Sequence, residues 1–229
     1  MSEENFIISK MKNGFTLAEV LITLVIIGIV AALTIPTVVN TYVETSTVGK
    51  VKKTLSILGQ AKKLAEAQNG SVEGWNFDEG ASSETAAQFW NYLKPHISVS
   101  KDCGTESACY PNSSIYTLVG TISGVDYHNS IYYHIVLADG SVIWFRTGGD
   151  DKGGKCSHSA GGGIENMCAR FWYDVNGDKK PNTAGIDLFV YDMNIDGVYP
   201  HHQDDCYKDS SGWGCTEYII KKGNMKYLH

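Results

Sequence analysis

Residues Phe15–Ile35 read FTLAEVLITLVIIGIVAALTI and contain a single charged side chain, Glu19. As an α-helix rising ~1.5 Å per residue, this stretch would be about 30 Å long, which matches the hydrocarbon core of a bilayer. A helix in the core of a soluble protein would have a polar face at helical spacing, and this stretch has none. It therefore predicts a membrane-spanning helix.

The flanks of the apolar stretch argue against an ordinary secretory signal peptide. Such peptides have an apolar stretch of ~7–15 residues followed by a small-residue cleavage site. Here the stretch is longer and ends at Thr34-Ile35-Pro36. Lys10 and Lys12 precede it, which favours a cytoplasmic N-terminus and places the rest of the chain outside the cytoplasm.

The segment Lys12-Asn13-Gly14-Phe15-Thr16-Leu17-Ala18-Glu19-Val20-Leu21 resembles the processing site of type IV pilins and type II secretion pseudopilins. The resemblance is shared by every branch of that family, so it selects no subfamily. It implies that a prepilin peptidase removes the leader, residues 1–14, by cutting after Gly14, and methylates the amine of Phe15. It also implies assembly roles for Glu19 and for Pro36.

The chemistry of these residues agrees with the resemblance. Gly14 has no side chain, so a protease can approach the backbone closely. A carboxylate such as Glu19 is costly in lipid unless it is paired. The family implies that its partner is the Phe15 amine of a neighbouring subunit, which would set the axial register of a filament. The alternative is that Glu19 lies at the headgroup interface and has no specific partner.

The chain beyond the apolar stretch divides into a stem, residues 37–70, and a head, residues 71–229. Residues 15–36 form the assembly helix, and Pro36 is expected to kink or locally melt it because proline lacks an N–H. Apolar residues at three- and four-residue steps then predict an amphipathic stem helix that packs on the head. They are Val48, Val51, Leu55, Leu58 and Ala65, with Ile57, Ala61 and Leu64 on an adjoining face.

The head is predicted to be α+β, with the long helix laid across an antiparallel sheet. Residues 83–93 predict a short helix with a serine N-cap. The turn Ala138-Asp139-Gly140-Ser141 predicts a hairpin between two strands. The candidate strands are Ile115–Ile122, Ile131–Leu137, Val142–Arg146, Phe171–Val175 and Asp187–Tyr191.

All six cysteines lie in the head, which indicates disulfides formed in an oxidising compartment. Six cysteines allow 15 pairings. The close spacings favour three local bonds over the other combinations. These are Cys103–Cys109, Cys156–Cys168 and Cys206–Cys215.

Two acidic segments are candidate calcium sites, since calcium prefers clustered hard oxygen ligands. The first contains Asp174, Asn176 and Asp178, and the second contains Asp192, Asn194 and Asp196. In the second, position twelve of the loop is Gln203 where an EF-hand needs glutamate, so a full EF-hand is not expected. The alternative is that these residues form Asx turns.

Other functional classes find little support in the sequence. A net charge of -6 disfavours nucleic-acid binding. Gly149–Cys156 resembles a phosphate-binding loop, but it ends in cysteine and no helix pattern follows, so no nucleotide is expected. His201 and His202 are expected in a solvated loop. No motif of a hydrolase or a metalloprotease is present, and we expect a non-enzymatic protein.

The sequence therefore predicts a structural subunit of a type IV pilus-like filament or a type II secretion pseudopilus. Its partners would be like or related pilin-like subunits, the prepilin peptidase and the membrane. It would be stored as a single-pass protein in a bacterial inner membrane and assembled into a periplasmic or extracellular filament. The alternative is a minor pilin-like subunit whose head binds a surface, DNA or a secreted substrate.

Overall fold

The computed structural model describes residues 14–77, 80–105, 109, 114–148, 156, 158–160, 164–177, 179–203 and 206–229. Most of the leader, most of the glycine-rich segment after Gly148, and Asp178 lie outside the described residues. The chain divides into two compact units, Met1–Val43 and Glu44–His229.

Helix α1, Leu17–Asn69, contains the apolar stretch except Phe15 and Thr16 and the stem except Gly70. The predicted local melting at Pro36 does not occur, because Pro36 lies inside an uninterrupted helix. A proline removes one backbone donor, and the turns around it keep their remaining bonds. In the preceding turn the Thr34 hydroxyl donates to the Val30 carbonyl oxygen at 2.9 Å.

Within the described residues, seven strands form one sheet in which every pair is antiparallel. The strands are β1 Val99–Gly104, β2 Tyr133–Leu137, β3 Val142–Thr147, β4 His158–Ala160, β5 Ile164–Asp174, β6 Leu188–Asn194 and β7 Val198–Pro200. Their order in the sheet is β1-β2-β3-β5-β6-β7, and β4 pairs with β5. The head also contains helices α2, Ser83–Leu93, and α3, Cys215–Lys222, and 3-10 turns at 72–74, 94–96 and 226–228.

This arrangement confirms the α+β prediction and most of the predicted elements. β2 and β3 form the expected hairpin, and α2 has Ser82 as its N-cap, whose hydroxyl accepts from the Thr85 N–H at 3.1 Å. The prediction of a strand at Ile115–Ile122 was wrong. Tyr116 instead makes two isolated bridges, one to Ile122 within the segment and one to Thr183 in the connection between β5 and β6, and neither joins a strand of the sheet.

One face of the sheet packs against the stem part of α1. The buried stem residues are Thr47, Val51, Thr54, Leu58, Ala61, Lys62 and Ala65. The hydroxyl of Tyr191 on β6 donates to the Val51 carbonyl oxygen at 2.8 Å. Lys62 is buried because its ammonium donates to Glu66 at 2.7 Å and to the Ile195 carbonyl oxygen at 2.9 Å. Leu64 is 52% exposed and stays outside the core, whereas Ala61 of the same adjoining face is buried.

The opposite face of the sheet carries a second apolar cluster. Trp144 of β3 and Trp172 of β5 are stacked with their ring centroids 6.4 Å apart. Residues from the loop between β1 and β2 cover them, including Ile115, Tyr127 and Tyr132. The sheet is therefore buried on both sides, by helices on one face and by loops on the other.

Candidate functional site

The start of α1 is fixed by a capping box that sequence reasoning missed. The Thr16 hydroxyl oxygen accepts from the Glu19 N–H at 3.2 Å, and Glu19 Oε2 accepts from the Thr16 N–H at 2.8 Å. Glu19 Oε2 also accepts from the Thr16 hydroxyl at 2.8 Å. The T-x-x-E pattern at positions 16–19 is the sequence signature of this box. It sets the first helical residue at Leu17.

The capping box keeps the predicted cleavage site out of the helix. Gly14 and Phe15 precede the first helical turn, and the Phe15 side chain is 89% exposed. Proteases cut preferentially at exposed segments with small residues. A Cβ built on Gly14 meets no described atom within 4 Å, so no described residue requires glycine there. The reason for glycine at this position therefore has to be sought in a partner.

The surface of α1 between Val20 and Ile35 is almost entirely apolar and is exposed within its own unit. By length and composition, this segment can cross a membrane, and none of it is buried. Soluble monomers rarely expose apolar patches larger than a few hundred Å². Lipid or other protein must cover this surface. The exposed side chains include Leu21, Ile22, Leu24, Val25, Ile26, Ile27, Ile29, Val30, Leu33 and Ile35.

The three disulfides of the head join neighbouring cysteines. The bonds are Cys103–Cys109, Cys156–Cys168 and Cys206–Cys215. This confirms the pairing that the spacing favours, and no cysteine among the described residues is free. Disulfides persist in oxidising compartments, which agrees with a head outside the cytoplasm.

The first candidate calcium segment lies in the connection between β5 and β6, where Asp187 is the organising group. The buried Asp187 carboxylate accepts from the backbone N–H groups of Asn182 at 2.9 Å and Thr183 at 2.6 Å. It also accepts from the Asn176 amide at 3.1 Å. Burial raises the pKa of Asp187 despite these hydrogen bonds. Its role is to hold the connection closed.

Calcium at the first segment stays a prediction, because Asp178 lies outside the described residues. Asp174 Oδ1 accepts from the Asn176 N–H at 3.0 Å, which is an Asx turn. In the second segment, Asn194 Oδ1 accepts from the N–H groups of Asp196 and Gly197, each at 2.9 Å. Among the described residues, no three His, Cys, Asp or Glu side chains are arranged to hold a metal ion.

Asp192 does not belong to that turn but to a buried ionic cluster. Its Oδ1 accepts from Arg170 Nε at 2.6 Å, and its Oδ2 lies 2.6 Å from His201 Nδ1. Burial alone would raise the pKa of Asp192, but the hydrogen bonds from His201 and Arg170 outweigh it and hold the pKa below its ordinary value. The expectation that His201 lies in a solvated loop was wrong, because His201 is 2% exposed.

Comparisons with known proteins find one similarity, and it lies in the N-terminal segment. No curated protein and no solved structure matches the chain. A family model of the prokaryotic N-terminal methylation motif matches residues 9–35. This range includes the exposed Gly14–Phe15 bond, the capping box and the apolar helical surface. Residues 9–35 therefore carry the prepilin-type cleavage and methylation signal of type IV pilins and pseudopilins.

Proposed function

We propose that this chain is a structural subunit of a type IV pilus-like filament or a type II secretion pseudopilus. The observation that carries the proposal is the methylation motif on an apolar helix whose side chains are exposed on every side. In the precursor, lipid covers that surface. After cleavage, the same surface packs against the helices of other subunits. The head remains outside the membrane and decorates the filament.

The proposed processing step is cleavage of the Gly14–Phe15 bond by a prepilin peptidase, followed by methylation of the Phe15 amine. The exposed position of this bond ahead of the capping box supports it. The precursor is a single-pass protein of a bacterial inner membrane with its leader in the cytoplasm. The three disulfides of the head support an extracytoplasmic location.

Mass spectrometry of the mature N-terminus tests the processing step. We expect a chain that starts at a methylated Phe15. The substitution Gly14→Leu is expected to block cleavage because its side chain would occupy the space that the peptidase backbone needs. Gly28→Leu is the matched control, since a Cβ at Gly28 also meets no atom within 4 Å. An intact Met1 in the wild type, or a cut beyond Ile35, would reject the proposal.

The proposed assembly step pairs the Glu19 carboxylate with the Phe15 amine of a neighbouring subunit. Both hydrogen bonds that the Glu19 carboxylate accepts use Oε2, so a cation can pair with Oε1 without breaking the cap. The substitution Glu19→Gln separates the two roles. Glutamine can still form a capping box, but it carries no charge. We expect normal cleavage of this variant and a strong reduction in filament yield, whereas normal assembly would refute the ion pair.

A second candidate is a minor subunit of the same build whose head binds a ligand. It is favoured by a cavity of about 270 Å³ that includes Arg170, His201 and Trp213 in its lining. The abundance of the chain separates the two candidates. A structural subunit is the dominant band in sheared surface filaments, whereas a minor binding subunit is a trace component.

A further inference from the structure

The face of the sheet opposite α1 carries an uneven row of charges. Arg146 on β3 lies directly opposite Arg170 on β5, and Arg170 lies directly opposite Asp192 on β6. Directly opposed residues of antiparallel strands share one face of the sheet, and like charges in such pairs are destabilising. Two guanidinium groups face one carboxylate in this row. The row keeps an excess positive charge that favours an anion.

Both oxygens of the Asp192 carboxylate already have a partner, and neither accepts from Arg170 Nη2. One of its oxygens accepts from Arg170 Nε and the other contacts His201 Nδ1, both at 2.6 Å. Arg170 Nη2 is buried and has no hydrogen-bond partner in the described part of the chain. A buried N–H group without an acceptor is costly, and the cost is larger for a charged group. Among the described residues, no oxygen accepts from this group.

The cavity beside Arg170 is shaped for a ligand with an apolar body. Its volume of about 270 Å³ is slightly below the usual range for small-molecule pockets, so it suits only a small ligand. Trp172, Trp213 and Val190 supply apolar walls, and the guanidinium carbon of Arg170 lies 6.0 Å from the centroid of the Trp172 ring. A few polar groups among apolar walls are typical of binding sites that fix the orientation of a ligand.

Gln203 is the movable part of the cavity lining. Its side chain is exposed, and its amide oxygen lies 3.2 Å from His201 Nε2. Turning this side chain aside breaks one long contact at the surface. Arg170 Nη2 is buried, so an acceptor reaches it only if a lining side chain moves, and Trp172 and Asp192 are buried whereas Gln203 is exposed.

We propose that this cavity binds a small organic carboxylate, with the carboxylate accepting from Arg170 Nη2 and its apolar body between Trp172 and Trp213. Guanidinium–carboxylate hydrogen bonds are among the strong ones, because donor and acceptor are both charged. The ligand is either a free small carboxylate or the C-terminal carboxylate of a peptide. The inference goes beyond the filament role and does not depend on it.

Calorimetric titration of the full-length protein in detergent micelles tests this site with three probes. Benzoate has the proposed chemistry, benzamide is its uncharged counterpart, and N-acetylphenylalanine imitates a peptide C-terminus. We expect benzoate to bind at least about tenfold more tightly than benzamide. Tighter binding of N-acetylphenylalanine than of benzoate identifies a peptide terminus as the source, and the reverse identifies a free carboxylate. Equal binding of benzoate and benzamide, or no binding of benzoate, overturns the proposal.

Variants place the site at the cavity. Arg170→Lys keeps a cation beside Asp192 but has no second donor arm, and it is expected to lose at least about tenfold in benzoate affinity. Trp213→Leu leaves the ionic cluster untouched and is expected to weaken binding by up to about tenfold. Tyr207→Leu is the matched control, because Tyr207 is exposed and does not line the cavity. Unchanged affinity in Trp213→Leu, when the variant unfolds like the wild type, contradicts the proposed location.

Discussion

The contact between the stem helix and the sheet can be tested with two substitutions of the same chemistry. Leu58 and Leu64 both lie on α1, six residues apart, and the sequence makes each a candidate for the core. In the structure Leu58 is 0% exposed, whereas Leu64 is 52% exposed. Replacing each leucine by alanine removes the same atoms from two different environments.

The expected loss for Leu58→Ala follows from its burial. Removing three buried carbon groups at ~0.8 kcal/mol each costs about 2.4 kcal/mol, and the cavity left behind raises the loss to about 3–4 kcal/mol. For a unit of this size, that corresponds to a decrease in Tm of roughly 6–16 °C. Leu64→Ala is expected to change the free energy of unfolding by less than about 0.5 kcal/mol.

Tryptophan fluorescence during urea unfolding measures both losses in the full-length protein in detergent. The five tryptophans all lie in the unit Glu44–His229, so the signal reports on the head and the stem and not on the apolar helix. A loss below about 1 kcal/mol in Leu58→Ala, or equal losses in the two variants, would refute the packing of this helix face on the sheet.

Three further predictions concern separate features. Thr16→Val removes the N-cap and is expected to reduce the stability of the first helical turn by about 1 kcal/mol. This loss should appear as roughly fivefold faster hydrogen exchange of the Glu19 amide. The control Thr23→Val, inside the helix, should leave the exchange of that amide unchanged. Asp192 has a lowered pKa, so its contribution to stability is present above its unfolded pKa near 3.8 and is lost as the pH falls through the folded value. The variant Asp192→Asn should therefore be less stable than the wild type at pH 7. Unfolding measured at pH 7 and in acid should show that the variant does not lose this contribution on acidification. Replacing both members of the Cys206–Cys215 disulfide by serine should cost about 2–3 kcal/mol in thermal unfolding, and an unchanged Tm would contradict this expectation.

Sequence reasoning succeeded where the physics is local. The apolar stretch, the β2–β3 hairpin and the three disulfides each depend on residues close together in the chain. The capping box at positions 16–19 is equally local and was missed, although its T-x-x-E pattern is present in the sequence. These features can be read from spacing and residue type alone.

Sequence reasoning failed where distant segments supply the partner. Ile115–Ile122 has the composition of a strand, but Tyr116 bridges to Thr183 in the distant connection between β5 and β6, as well as to Ile122, and not to a strand of the sheet. In the sequence, Lys62 resembles a solvent-facing residue of an amphipathic helix. Its burial is possible because its ammonium donates to the carbonyl oxygen of Ile195, which is 133 positions away in the chain. The burial of His201 likewise depends on the carboxylate of Asp192, which lies on β6.

The sequence by itself determined the processing signal, the apolar helix and the location of the disulfides, because each is a property of neighbouring residues. Only the tertiary structure decided which face of α1 is buried and that Arg170, Asp192 and His201 form one cluster beside a cavity. The physical reason is that strand pairing and burial join residues far apart in the chain. A buried charge is tolerated only where such a distant partner lies within hydrogen-bond distance.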